Sequence, residues 1–287
     1  MEKTLKEINR NLITKGYQKA TIEGYILNGR DFLKWLKKEE RKLGNISYAE
    51  CLKWVGVQQG KGSNARTINR KILSINHLYE SQDLKSPMKE LRLRGVHHEA
   101  KKEELEYEEL MNLYAIYEEG GLFGKRNKVM LGVLIYQGLK RSELDNLKES
   151  DVDMERGLIR IRETGSTNSR ILVLQANQIL DLNKYLYQVR PGLNIEESEA
   201  LFLSKGSGKK LANALSYLMR KIGKDYGVKL TAGMIRQAVI RNWLEENNLR
   251  QVQYMAGHRN VSSTFKYGIR SLEELQEEIN RVHPLRG

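Results

Sequence analysis

Near the end of the sequence His258 and Tyr267 stand nine residues apart, and Arg236 lies 22 residues before the histidine. A phenol, a guanidinium and an imidazole together suit in-line attack on a phosphodiester. That reaction needs a nucleophilic oxygen, a cation to match the charge growing on the phosphorane, and an acid for the departing oxygen. Arginine fits the second task because its planar fork binds two phosphate oxygens and keeps its proton. A tyrosine with a free pKa near ~10 has to lose its proton to the site or to the phosphate itself. Histidine can give a proton near neutral pH. Taken singly, Arg236 reads as a helix-surface residue and His258 as a turn residue; their placement together with Tyr267 is what points to chemistry. Trp243 and Tyr254 fall on apolar faces of helical patterns and read as core.

These residues need elements to hold them. Apolar residues at three- and four-residue spacings (Leu5, Ile8, Leu12; Ile22, Tyr25, Ile26, Phe32, Leu33, Leu36; Ile68, Ile72, Ile75, Leu78, Tyr79) predict four or five short helices over 1–85. Thr21 and Ser47 are candidate N-caps, and Gly60-Lys61-Gly62-Ser63 reads as a loop before a helix from Asn64 to Ser81. On that helix Arg66, Arg70 and Lys71 lie on faces that the apolar stripe leaves open. The periodicity lapses between Leu84 and Leu105, where Pro87, Arg92, Arg94, His97, His98, Lys101 and Lys102 mark an exposed connection. The resulting division is an N-terminal helical domain over 1–85, a linker over 86–104, a second domain over 105–270 and a helical tail over 271–287. In the second domain an apolar helix spans Val129 to Tyr136, and another starts after Gly138. Leu158–Arg162 and Arg170–Leu174 flank a polar turn and predict a β-hairpin, with Leu201-Phe202-Leu203 as a candidate third strand. Helices follow at Leu211–Ile222 and Met234–Glu246, and an amphipathic one at Ser271–Arg281. The fold class is mainly α with a small β-sheet.

Composition narrows the partner. The chain has 287 residues and a net charge of +13, with 22 Lys and Arg against 11 Asp and Glu up to Lys102 and 27 against 25 thereafter. A balance that basic points to a polyanion, and nucleic acid comes before membrane because no amphipathic anchor accompanies the charge. No apolar run is long enough to cross a bilayer and no signal peptide opens the chain, so the expected location is cytoplasmic. The single Cys51 excludes an internal disulfide and reads as core; no Cys/His cluster has metal-ligand spacing, and no cofactor is expected. The adjacent His97-His98 reads as solvated linker. Gly206-Ser207-Gly208-Lys209-Lys210 lacks the spacing of a phosphate loop and reads as a basic turn. Asp151 and Asp153 alone do not make the oxygen site that a metal-dependent nuclease requires.

Met255-Ala256-Gly257-His258 with Tyr267, Thr231-Ala232-Gly233-Met234-Ile235-Arg236, and Gly138-Leu139-Lys140-Arg141-Ser142-Glu143-Leu144 stand in an order that resembles the tyrosine recombinase (integrase) family. The hairpin stands between the last two of these motifs, where that family has one. The resemblance runs from Gly138 to Tyr267, and the basic helical domain before it looks like the family's core-binding, SAM-like half. It implies the DNA breaking-rejoining fold and site-specific recombination through a 3′-phosphotyrosyl link on Tyr267. Arg236 and Lys140 would hold the scissile phosphate, with Arg141 either joining them or lying solvated on the helix surface, and His258 would position or protonate it. It also implies a clamp on double-stranded DNA and a homotetramer assembled there through the C-terminal tail, the alternative for the tail being a cap on its own domain. Candidate DNA contacts are Lys61, Arg66, Arg70, Lys71, Arg162, Arg170, Lys209 and Lys210, which supply affinity rather than sequence choice.

The sequence departs from the family pattern at three places. Lys140 occupies the first-arginine position; by analogy with an oxyanion donor, losing that fork costs ~2.7–4 kcal/mol, or ~10²–10³ in rate. Gly233 has no side chain where the family commonly has a histidine or another polar residue. The turn from Thr164 to Ser169 contains no lysine, the family's usual general acid, which leaves His258 or water for that task. These departures motivate a rival reading, an accessory or regulatory DNA-binding protein that kept the fold and lost efficient cleavage.

Overall fold

The computed structural model describes residues 1–94, 105–117, 120–194, 197–204, 211–227 and 229–268. The chain divides into two compact units, Met1–Ala100 and Lys101–Gly287. His97, His98, Lys101, Lys102, Lys209, Lys210 and the tail over 271–287 lie outside the described residues.

The first unit is built from α1 (Glu2–Thr14), α2 (Lys19–Lys38), α3 (Tyr48–Gly60) and α4 (Ala65–Glu80). Helix α2 packs on α1 and α4. Their apolar stripes meet in one core containing Ile8, Leu12, Phe32, Cys51, Trp54, Ile68, Ile75 and Leu78. Each such large side chain contributes about 1.5–3 kcal/mol by leaving water. Ser47 caps α3 in a reciprocal box with Glu50, as its position predicts. Thr21 is no cap: α2 begins two residues earlier after Gln18, whose carbonyl accepts the Thr21 N–H at 2.9 Å.

The second unit opens with α5 (Tyr107–Ile116) and α6 (Gly121–Gln137). Every residue from Val129 to Gln137 is buried, because α5, α8 (Ala176–Lys184) and α11 (Ala232–Glu246) pack against α6. Gly138 ends α6 in the left-handed region at φ +56°, and the six-residue α7 (Arg141–Asn146) follows. Strands β1 (Val152–Asp153), β2 (Leu158–Ile161) and β3 (Arg170–Val173) form an antiparallel sheet in that order, with Ile161 opposite Arg170. The third strand is therefore β1 and not Leu201-Phe202-Leu203. That segment is buried, but its carbonyls are taken by side chains, Leu201 O by the Tyr185 hydroxyl and Leu203 O by Arg126. Its backbone pairing stops at a single antiparallel bridge, Ala200 to Lys148 with Leu201 N–H on Leu147 O at 2.8 Å, and its apolar character reflects burial. A π-helical turn, Tyr185–Val189, joins α8 to α9 (Arg190–Leu193); α10 (Ala212–Asp225), α11, α12 (Leu249–Ala256) and a helical stretch over 261–268 complete the described part. None of the described helices is long and apolar enough to cross a membrane.

Candidate active site

The ends of four elements meet around one buried carboxylate. Glu143, in the first turn of α7, accepts both terminal nitrogens of Arg170 on β3, at 2.6 and 3.2 Å, and the two side chains have no solvent exposure. The same carboxylate accepts the backbone N–H of Lys140 at 2.7 Å and lies 3.6 Å from Arg236 on α11. Burial alone would raise the Glu143 pKa. The Arg170 fork, the Lys140 N–H and Arg236 outweigh it and hold the group below the ordinary carboxylate range.

Arg236 is 4% exposed, and its terminal nitrogens donate to two helix-end carbonyls, Gly138 O and Ala256 O, each at 2.6 Å. These carbonyls are orphaned at the C-termini of α6 and α12, so the arginine closes both ends at once. Its Nε is buried and has no acceptor among the described residues. Burial lowers the guanidinium's pKa, Glu143 and the Tyr267 hydroxyl oppose that shift, and Arg170 adds to it.

Gly257 follows α12 at φ +65° and leads into His258. A Cβ there would collide with the Arg170 guanidinium and stand 3.0 Å from Asn168 O, so close approach as well as backbone sign requires glycine. The hairpin turn docks on the same corner: Asn168 N–H donates to Gly257 O at 2.9 Å, and Thr167 bridges to His258. The His258 ring is buried, its Nδ1 2.8 Å from the Thr264 hydroxyl and its face stacked on Tyr267 at 5.8 Å and 12°. Burial first, then Arg236, Lys140 and Arg170, with Glu143 opposing, press its pKa down to about 4. His258 is therefore neutral at pH 7. It is a hydrogen-bonding group there and not the neutral-pH acid that its residue type suggests.

Lys140 caps α7 with a half-buried side chain whose Nζ is 3.2 Å from Ser166 Oγ and 3.5 Å from Ser166 O in the hairpin turn. Burial, Arg236 and Arg170 lower its pKa, against Glu143. Three cations thus face one carboxylate, which leaves an electropositive cluster beside Tyr267, suited to an anion. Among the described residues no group of three His, Cys, Asp or Glu side chains converges as a metal site would.

The chain matches the phage integrase family over residues 103–273 and the N-terminal SAM-like domain of phage integrases over residues 9–81. It belongs to the tyrosine recombinases. The recombinase is 29% identical over 289 residues to tyrosine recombinase XerC of Bacillus licheniformis, covering 95% of this chain and 93% of that one. It is 25% identical to tyrosine recombinase XerA of Thermococcus kodakarensis, covering 99% and 97%. Its fold is similar to the Tn1549 transposon integrase in complex with transposon right-end DNA, with TM-score 0.71, 17% identity and coverage of 97% and 99%. It also resembles XerH site-specific recombinase bound to palindromic difH, with TM-score 0.70, 20% identity and coverage of 90% and 78%. The activity of the family is site-specific DNA recombination.

Of the residues singled out by sequence, Arg236, His258, Lys140 and Tyr267 come together in the recombinase. Arg141 begins α7 with an exposed side chain and takes no part in the hydrogen bonds that gather them. Arg170 is corrected from a DNA contact to an internal strut: it is fully buried on Glu143, and its Nε donates to Met255 O at 2.7 Å. Arg162 is exposed, with its Nε on Asp151 at 2.8 Å, so the Asp151 carboxylate serves an ion pair. Lys61, Arg66 and Arg70 are exposed on the first unit, while Lys71 is half-buried and donates to Gln58 Oε1 at 2.7 Å. Trp243 is buried, but Tyr254 is 55% exposed: its hydroxyl accepts Ile171 N–H at the outer edge of β3, which places the ring outside the core. Sequence reasoning missed Glu143, Thr264 and Thr167. Only Glu143 left a signal, its position three residues after Lys140 at a helix start, where a carboxylate caps the preceding N–H.

Proposed function

We propose that Tyr267 is the nucleophile of this recombinase and that Arg236 and Lys140 hold the scissile phosphate. The Tyr267 oxygen bonds to phosphorus as the bond to the 5′ oxygen breaks, leaving a 3′-phosphotyrosyl link; attack by the free 5′ hydroxyl of another strand reverses the step. The observation that carries this reading is the Arg236 Nε, a buried donor with no acceptor among the described residues, in the cluster whose His258 stacks on the Tyr267 ring. A phosphate oxygen supplies the missing acceptor, and the cationic surroundings favour its charge. Neutral His258, steadied by Thr264, contributes a hydrogen bond and fixes the tyrosine ring. Exposed Lys61, Arg66 and Arg70 bind the DNA backbone, and the working unit is a homotetramer on DNA in the cytoplasm. Lys209, Lys210 and Arg162 are further candidate contacts.

The test starts from a pool of nicked duplexes with randomised sequence, incubated with the protein and screened for adducts that survive denaturation. Wild-type protein is expected to yield such adducts and Tyr267→Phe none. An adduct formed equally by Tyr267→Phe, or none from wild type, overturns the assignment.

A further inference from the structure

The cleavage step leaves a proton unaccounted for. As Tyr267 Oη bonds to phosphorus its own proton passes to water, while the 5′ oxygen departs as an alkoxide that has to be protonated. The cluster offers few donors. Arg170 and Arg236 are guanidiniums, which keep their protons; Arg170 is in addition fully buried on Glu143. His258 is already neutral at pH 7, with Nδ1 engaged by Thr264. The hairpin turn from Thr164 to Ser169 offers only hydroxyls and an amide.

Lys140 differs from all of these. Its backbone N–H is committed to Glu143, but its ammonium is not: Nζ extends to the turn, where among the described residues its hydrogen bonds go to Ser166, at 3.2 and 3.5 Å. It is half-buried, so part of it stays in contact with water that can return its proton. Burial and the neighbouring Arg236 and Arg170, with Glu143 opposing, make the ammonium a stronger acid than an ordinary lysine.

We infer that Lys140, standing at the start of α7 where an arginine would be a phosphate clamp alone, protonates the departing 5′ oxygen, with Ser166 as its positioning residue. The inference rests on the nucleophile assignment above and deepens it. Lys140 Nζ gives one proton as the P–O5′ bond breaks, becomes a neutral amine, and recovers the proton from water or from the attacking 5′ hydroxyl in the reverse step.

Leaving-group chemistry separates this role from phosphate holding. A duplex captured by wild-type protein in the screen is resynthesised with either oxygen or sulfur as the bridging 5′ atom; a thiolate leaves without being protonated. Lys140→Ala is expected to cleave the oxygen duplex ~10²-fold or more slowly than wild type, the size of a lost general acid. On the sulfur duplex its loss is expected to be about tenfold or more smaller, leaving only what phosphate holding contributes, and measurable cleavage there also shows that the variant folds. Lys140→Arg, which keeps charge and gains a fork but gives up no proton, is expected to follow the same pattern. Equal losses on both duplexes, or rescue of oxygen cleavage by Lys140→Arg, overturn the inference and leave Lys140 with phosphate holding alone. An oxygen-selective loss in Lys266→Ala, an exposed lysine beside Tyr267, overturns it in favour of that residue. If wild type captures no duplex at all, the nucleophile assignment fails and this inference falls with it.

Discussion

Glu143 faces Arg170, Arg236 and Lys140, and its removal strands a guanidinium that has no access to water. Breaking a buried pair at one partner costs ~3–5 kcal/mol, so Glu143→Ala is expected to lower stability by that amount in urea unfolding followed by circular dichroism. A loss below about 1 kcal/mol would mean that water reaches Arg170. His258 makes the recombinase sensitive to acid. Its folded pKa of about 4 lies below the unfolded value of 6.5, so the unfolded state takes up the proton first as pH falls. The contribution of the neutral ring is complete above pH 6.5, declines through the interval down to about 4 and is then gone. It amounts to roughly 3 kcal/mol at about 1.4 kcal/mol per pKa unit. Melting temperatures of wild type and His258→Gln are expected to converge as pH falls from 7 to 4; parallel curves would show that the buried ring does not titrate in this way.

At the level of elements, two glycines at helix ends should respond to alanine with opposite sign. Gly257 combines φ +65° with the Arg170 guanidinium pressed against the place of a Cβ. The left-handed backbone alone costs ~1–2 kcal/mol, and displacing Arg170 adds to that, so Gly257→Ala is expected to be destabilised and to lose cleavage. Gly233, near the start of α11, has ordinary φ and only Thr231 Oγ1 at 3.8 Å from a built Cβ. Gly233→Ala is expected to gain about 0.4–1 kcal/mol by restricting the unfolded chain. Thermal melts that shift both variants in one direction would contradict this contrast. The elements themselves were legible to different degrees. Ser47 could be read as a cap because the Ser-x-x-Glu spacing is a local reciprocal bond. Leu201-Phe202-Leu203 reads as a strand because an apolar run looks the same whether it pairs along a sheet or, as here, makes one bridge at its start and is otherwise buried under side chains.

For the molecule as a whole, charge is the decisive quantity. The first 102 residues carry 22 basic against 11 acidic side chains, and Arg66 and Arg70 stand exposed on α4. If both neutralise phosphates, log K for duplex DNA falls with log salt at about 0.9 per contact. Arg66→Ala with Arg70→Ala is therefore expected to flatten that slope by about 2 in fluorescence anisotropy titrations on an arbitrary duplex. An unchanged slope would place these charges away from the DNA. Lys71, already bonded to Gln58, is expected to contribute less to the slope.

The sequence by itself determined the helical first unit, the hairpin, the order of Lys140, Arg236, His258 and Tyr267, and the surplus of positive charge. These follow from periodicity, spacing and composition, which are properties of neighbouring residues. Only the tertiary structure decided what each charged group does. Arg162 and Arg170 sit in the same hairpin and look equivalent along the chain, yet one is exposed on Asp151 and the other is sealed on Glu143. His258 has the type of a neutral-pH acid, but burial among Arg236, Lys140 and Arg170 removes its proton. Lys140 looks like a weakened arginine until its Nζ is seen at the hairpin turn, 26 residues away. Burial and the charges brought near by the fold set proton affinity and pairing, and both come from residues distant in sequence.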